Sequence, residues 1–201
     1  MKRKLSLLFC ALFMMATFAV GQTLSNADRE KGVQYLEKTR DGVAASVKGL
    51  SDAQLNFKAG PDRWSVAQVL EHIALAEDYL YQNVTSNVMK APAGAADRDT
   101  AKIDAAVLAM IPDRSHKAQA PPPLVPTGRW TAAAALDHFL KSRAKTIELM
   151  KTGTDLRAHL TDSPLGQKLD AYEWLLFISA HSERHTKQIQ EVKDNPNFPK
   201  S

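Results

Sequence analysis

Apolar residues recur at helical spacing in four long segments, each opened by a recognisable start signal. In the first, Val33, Leu36, Val43, Val47 and Leu50 trace one stripe behind Ser25 as cap, with Asp28 at the positive end of the helix dipole. The second follows Pro61-Asp62-Arg63-Trp64, with Ser65 as cap and Gln68 three residues on, and carries Val69, Ile73, Ala76 and Leu80 before fading near Lys90. The third starts after Thr131, carries Leu136, Phe139, Leu140, Ile147 and Met150, and stops before Gly153, whose freedom at positive φ suits a helix end. The fourth opens at Asp170, with Glu173 completing a capping box, and ends at Asn195-Pro196 because proline cannot continue the ladder. No alternation is long enough to predict a strand.

Between the second and third segments lies a connection from Ala91 to Gly128, rich in Ala, Pro, Gly and charge and including Ala120-Pro121-Pro122-Pro123. A short helix around Ile103 to Ile111 interrupts it. Connections of this length are uncommon in compact domains and are often functional or disordered. This one lets the third helix start at the same end of the bundle as the second. The expected fold is therefore all-α, a four-helix bundle in up-down-down-up order. An internal echo fits two halves: Arg63-Trp64-Ser65-Val66-Ala67-Gln68-Val69-Leu70-Glu71-His72-Ile73 matches Arg129-Trp130-Thr131-Ala132-Ala133-Ala134-Ala135-Leu136-Asp137-His138-Phe139 at five of eleven positions. Capped amphipathic helices share such a grammar, so duplication and coincidence both account for it.

The N-terminus belongs outside this bundle. Lys2, Arg3 and Lys4 precede an apolar run from Leu5 to Val20, and small residues at Ala19 and Gly21 offer cleavage before Gln22. Residues 1–21 read as a secretory signal peptide and 22–201 as one domain, exported to a periplasm or the exterior, with no stable membrane insertion once the leader is removed. An uncleaved anchor is the alternative. Lipidation is excluded, because Cys10 lies mid-run after Phe9.

Setting the leader aside changes the charge. The whole chain has formal net charge +4, but without Lys2, Arg3 and Lys4 basic and acidic side chains nearly balance. No excess charge and no basic stripe with interleaved aromatics remain to meet phosphates, so nucleic acid is not expected as a partner. The single cysteine leaves with the leader too, which excludes disulfides, a cysteine nucleophile and thiolate ligands from the mature chain. Any metal must use nitrogen or oxygen donors.

His181 and His185 are four residues apart and share a helix face, about 5 to 6 Å apart at Cβ. The pattern alone is weak. It gains weight because Trp174, Ile178, His181, His185, Ile189 and Val192 form the inward stripe of the fourth helix. His72 takes a like place on the second, among Val69, Leu75, Ala76 and Tyr79. With antiparallel helices rising 1.5 Å per residue, His72 and His185 come level within one turn. A lone buried histidine is more often a hydrogen-bonded core residue. Three converging imidazoles in an apolar bundle would be jointly satisfied by a divalent ion. His138 faces mostly polar neighbours, and His116 and His159 lie in connectors, so these three stay outside the site.

The segments Arg63-Trp64-Ser65-Val66-Ala67-Gln68-Val69-Leu70-Glu71-His72 and Trp174-Leu175-Leu176-Phe177-Ile178-Ser179-Ala180-His181-Ser182-Glu183-Arg184-His185 resemble those of the DinB/YfiT-like superfamily. The resemblance spans essentially the whole mature chain. It implies a four-helix bundle with one histidine on the second helix and an HxxxH pair on the fourth, binding zinc, nickel or iron. Those ligands map onto His72, His181 and His185. The family includes thiol S-transferases, thiol-dependent isomerases, presumed hydrolases and proteins without known activity, so membership does not choose the reaction.

The expected function is that of an exported metal-dependent hydrolase acting on a small molecule. A non-catalytic metal-binding or ligand-binding bundle, packing helices in a homodimer, and a thiol S-transferase are the alternatives. Glu183 points away from the HxxxH face and cannot serve as the glutamate of HExxH. Arg143 falls in phase with Leu136, Leu140, Ile147 and Met150 and needs an anion, either a carboxylate such as Glu77 or Asp78 or a substrate. Arg143 and Tyr79 are the candidate substrate-binding residues. Trp64, Trp130 and Trp174 read as core anchors.

Overall fold

The structure is a computed structural model, which describes residues 23–95 and 97–200. Residues 1–21, expected to form a leader, and Cys10 within them lie outside the described residues. Among the described residues six α-helices form: α1 (Asn26–Val47), α2 (Asp52–Asn56), α3 (Val66–Ser86), α4 (Thr100–Met110), α5 (Ala132–Thr152) and α6 (Ala171–Lys193). The long helices α1, α3, α5 and α6 make the bundle.

Side chains fix where each begins. Ser25 caps α1 and Thr131 caps α5, while Ser65 with Gln68 and Asp170 with Glu173 form complete capping boxes on α3 and α6. Each box satisfies backbone donors that a helix start would otherwise leave unpaired. α2 has the same device in Ser51 and Gln54.

Cross-helix contacts set the order. Tyr172 reaches Asp28 and Lys193 reaches Ser46, so α1 and α6 run parallel. Arg29 at the start of α1 bonds Met150 at the end of α5, while Arg143 in mid-α5 meets Leu36, so these two are antiparallel. Arg63, just before α3, pairs with Glu191 near the end of α6, which makes α3 and α6 antiparallel as well. The result is up-down-down-up.

The core has two parts. Leu36, Leu80, Val84, Met150, Leu175 and Ile178 lie in one, and Val43, Val69, Leu70, Ile73, Phe139 and Ile189 in the other. Burial of such side chains stabilises by about 1.5–3 kcal/mol each. No helix among the described residues is long and apolar enough to cross a membrane.

Two details differ from expectation, and a third decides a point the sequence left open. A two-residue antiparallel hairpin forms, β1 (Thr161–Asp162) against β2 (Lys168–Leu169); it is too short to show as alternation. Gly153 ends α5 with φ of −61°, in extended backbone, not at positive φ. Space demands the glycine: a Cβ there would sit 2.6 Å from the Leu149 carbonyl oxygen and 2.9 Å from Leu156 Cδ2. Lastly, the connector is built structure. Beyond α4 it includes a 3₁₀ turn at Pro122–Leu124, with Val107 and Leu124 buried.

Candidate metal centre

α3 brings His72 and α6 brings His181 and His185 to one point in the bundle. The ring centroids lie 5.1 Å apart for His72 and His181, 4.4 Å for His72 and His185, and 4.3 Å for His181 and His185. One nitrogen from each ring falls within 4.8 Å of the others. His72 and His185 are buried, and His181 is half-buried. Trp64 packs against His72 at 4.9 Å and Phe177 stacks on His181 at 6.5 Å, so the cluster has aromatic walls.

The outer nitrogens decide what the inner ones can do. His72 Nδ1 is 2.7 Å from the Leu124 carbonyl oxygen, which can only accept. His72 therefore carries its hydrogen on Nδ1 and leaves Nε2 bare. His185 Nδ1 lies 2.8 Å from Gln188 Oε1, and the Arg114 guanidinium, a pure donor, approaches that same oxygen at 3.4 Å. His185 is thus also the Nδ1–H tautomer. The two bare Nε2 lone pairs then face each other at 3.1 Å.

Neutral lone pairs do not settle at that distance without a cation between them. Ligand nitrogens around a tetrahedral zinc stand about 3.3 Å apart, given bonds of about 2.0–2.1 Å, so the donor set fits a divalent ion. Burial, opposed by the Leu124 hydrogen bond, lowers the His72 pKa. Burial and the neighbouring imidazoles hold His181 and His185 well below the usual histidine range. All three are kept in the neutral form that ligates metal.

The remaining histidines stay apart. His138 Nε2 bonds Asp78 Oδ2 at 2.6 Å and its ring stacks on Trp130 at 4.4 Å. The echo between Trp64–His72 and Trp130–His138 therefore survives as a ring contact in both halves. His159 bonds the Ala91 carbonyl, and His116 is exposed.

The two candidate substrate residues are not brought to the triad. Arg143 is fully buried and bidentate to Glu77, at 2.9 Å through Nε and 2.7 Å through Nη2. Its other donors go to Leu36 O, Thr39 Oγ1 and Ser182 Oγ, so all five N–H groups are spent inside the protein. The anion it needs is Glu77, and no donor is left for a substrate. Tyr79 is 49% exposed, not inward. It has the phase of His72 but lies about 10 Å further along the helix, where the face is open. Glu183, as expected, turns away, accepting from the Tyr35 hydroxyl at 2.8 Å and pairing with Lys187.

Sequence reasoning missed the outer supports, Leu124 and Gln188. Gln188 was within reach, since it lies three residues beyond His185 on the same helix; Leu124 contributes only a backbone carbonyl and leaves no residue-type signal.

The sequence model of the DinB superfamily matches residues 35–189. The chain belongs to the DinB superfamily. It is 26% identical over 150 residues to the uncharacterized protein YuaE of Bacillus subtilis (strain 168), covering 74% of this chain and 88% of YuaE. YfiT from Bacillus subtilis, described as a probable metal-dependent hydrolase with an unusual four-helix bundle topology, superposes with a TM-score of 0.55 at 17% identity. That match covers 89% of this chain and 93% of YfiT. TT2238, described as a four-helix bundle protein, matches with a TM-score of 0.51 at 16% identity, over 81% of this chain and 98% of its own. At these identities the solved structures establish the four-helix-bundle fold alone. The triad stands on its own geometry.

Proposed function

We propose that this DinB-superfamily chain is an exported metal-dependent hydrolase of a small molecule, its divalent ion held by His72, His181 and His185. The observation that carries the reading is the pair of bare Nε2 atoms of His72 and His185, 3.1 Å apart, with their Nδ1 hydrogens directed outward. YfiT's description as a probable metal-dependent hydrolase supports the same class.

A divalent ion with open positions supplies Lewis acidity, polarising a carbonyl or phosphoryl group and lowering the pKa of water toward about 7. This chain's residues bring three neutral imidazoles together and orient two of them, His72 through the Leu124 carbonyl and His185 through Gln188. The partial exposure of His181 supports approach of a small molecule from its side of the cluster. Three imidazoles accept zinc, nickel, copper or iron according to availability, and zinc, nickel and iron are the candidates here.

One observation favours binding without turnover. The acidic residues beside the ligands are engaged elsewhere: Glu71 with the backbone of residues 127–129 and Glu183 with Tyr35 and Lys187. Neither is free to act as a base at the triad. Export rests on the pattern of residues 1–21 and is checked by fractionating cells and sequencing the N-terminus of the mature protein, expected at Gln22.

The deciding experiment is elemental analysis of the purified protein beside His72→Ala, His181→Ala and His185→Ala. The wild type is expected to hold about one ion per chain and each variant to lose it. Unchanged metal content in the variants refutes the triad. A metal-loaded wild type inert toward ester, amide and phosphoester panels reduces the proposal to metal binding.

A further inference from the structure

Glu71, one residue before His72 on α3, is buried, yet it contributes nothing to the triad directly. Its carboxylate gathers the end of the connector. The backbone N–H groups of Thr127 and Arg129 donate to Oε1 at 3.0 and 3.3 Å, and that of Gly128 donates to Oε2 at 2.8 Å. The Thr127 hydroxyl and the Arg129 guanidinium add contacts to Oε1 at 3.4 and 3.7 Å. Gly128 has φ of +76°, a conformation L side chains rarely adopt, and this turn lets successive N–H groups converge on one anion.

Three residues upstream, the Leu124 carbonyl takes the Nδ1 hydrogen of His72 at 2.7 Å. Two neighbouring residues of α3 thus grip both ends of the segment 124–129. We infer that Glu71 is a positioning residue for His72, anchoring residues 127–129 so that the Leu124 carbonyl fixes the tautomer and ring orientation His72 needs as a metal ligand. The inference rests on the metal-binding reading of the triad and assigns the connector a part in it.

The chemistry favours this coupling. A ligating imidazole is oriented by whatever accepts its other N–H, and losing such a partner typically weakens metal affinity 10–100-fold. For His72 that partner is a backbone carbonyl on a proline-rich connector, which needs an anchor of its own. The buried carboxylate supplies one through charge-assisted hydrogen bonds.

The test uses the full mature chain, with zinc as probe and a chromophoric chelator as competitor. Glu71→Gln keeps the side-chain shape but presents an amide where N–H donors converge. Its zinc dissociation constant is expected to rise about 10- to 100-fold. Imidazole ¹⁵N spectra of the zinc-free protein should then show His72 losing its fixed Nδ1–H tautomer, a signal that a merely structural role would leave in place.

Gly128→Ala is the second arm. It strains the turn without altering charge near the triad, and its added Cβ meets nothing within 4 Å. It should weaken zinc in the same direction, which a through-space effect of the Glu71 charge cannot produce, and it carries the test if Glu71→Gln fails to fold. Wild-type zinc affinity with an unchanged His72 tautomer in the folded variants overturns the inference. Should wild-type protein take up no zinc that His72→Ala abolishes, the metal reading fails; the ¹⁵N spectra still report separately whether Glu71 fixes the His72 ring.

Discussion

His185 donates its Nδ1 hydrogen to Gln188 Oε1 at 2.8 Å, so a metal-ligand candidate is oriented by a residue one turn further along its own helix. Gln188 is held in turn by Arg114 from the connector, which is itself paired with Glu191. His72 and His185 are therefore both steadied from the connector side, one directly and one through Gln188.

Removing that acceptor should loosen the ion without unfolding the bundle. Gln188→Ala is expected to weaken zinc about 10-fold or more, with helicity unchanged by circular dichroism. Gln188→Glu keeps an acceptor and should retain affinity. Equal zinc binding in wild type and Gln188→Ala would show that the contact does not orient His185.

His138 supplies the matched control. Its ring packs on Trp130 as that of His72 packs on Trp64, but it is partly exposed and bonded to Asp78 on α3. His138→Ala should leave metal content unchanged and shift stability by no more than about 1 kcal/mol, the usual range for an exposed ion pair. Metal loss in this variant would mean that the echo between the two helices includes function.

Much of this fold could be read from residues because its determinants are local. Ser65 with Gln68 and Asp170 with Glu173 mark helix starts within four residues, and the inward stripe of α6 places His181 and His185 together by periodicity alone. His72 needed one further step, the antiparallel levelling of two helices. What stayed hidden depends on long-range or backbone contacts. Leu124 acts through a carbonyl that any residue could present. Tyr79 has the right phase, but phase does not reveal which neighbours cover a face. Arg98, Asp104 and Arg157 come from elsewhere in the chain to Asp170 and Glu173, making a largely buried charge cluster that no local pattern announces.

That cluster makes stability depend on pH. Burial, then the charge of Asp170, raises Glu173 from 4.5 to about 7, against the pull of Arg98. Asp170 is raised as well, chiefly by burial. For a carboxyl raised in the folded state, the native protein binds more protons than the unfolded chain, so this contribution to stability falls as pH climbs from 4.5 through about 7. Glu173→Gln keeps a residue suited to the capping box but cannot ionise. Melting of the metal-free protein between pH 5 and 8 should therefore decline less steeply in the variant. Parallel profiles would rule Glu173 out as the titrating group.

Arg143 and Glu77 offer a sharper energetic test, because both are buried and the arginine spends every donor inside the protein. Arg143→Met strands the Glu77 carboxylate with Thr146 as its remaining bonded partner and should cost about 3–5 kcal/mol. In a domain of this size that corresponds to a fall in melting temperature of about 10 °C. Replacing both partners with methionine removes the buried charges together. The double variant should recover much of the loss, since an apolar pair of similar volume is often as stable as a buried ion pair. Metal content should be retained throughout, because Arg143 hydrogen-bonds none of the ligands and reaches His181 only through its charge. If the double variant melts as low as the single one, packing and not charge is what Arg143 supplies. If it folds and binds metal normally but no longer binds a substrate that the wild type binds, Arg143 reads that substrate after all.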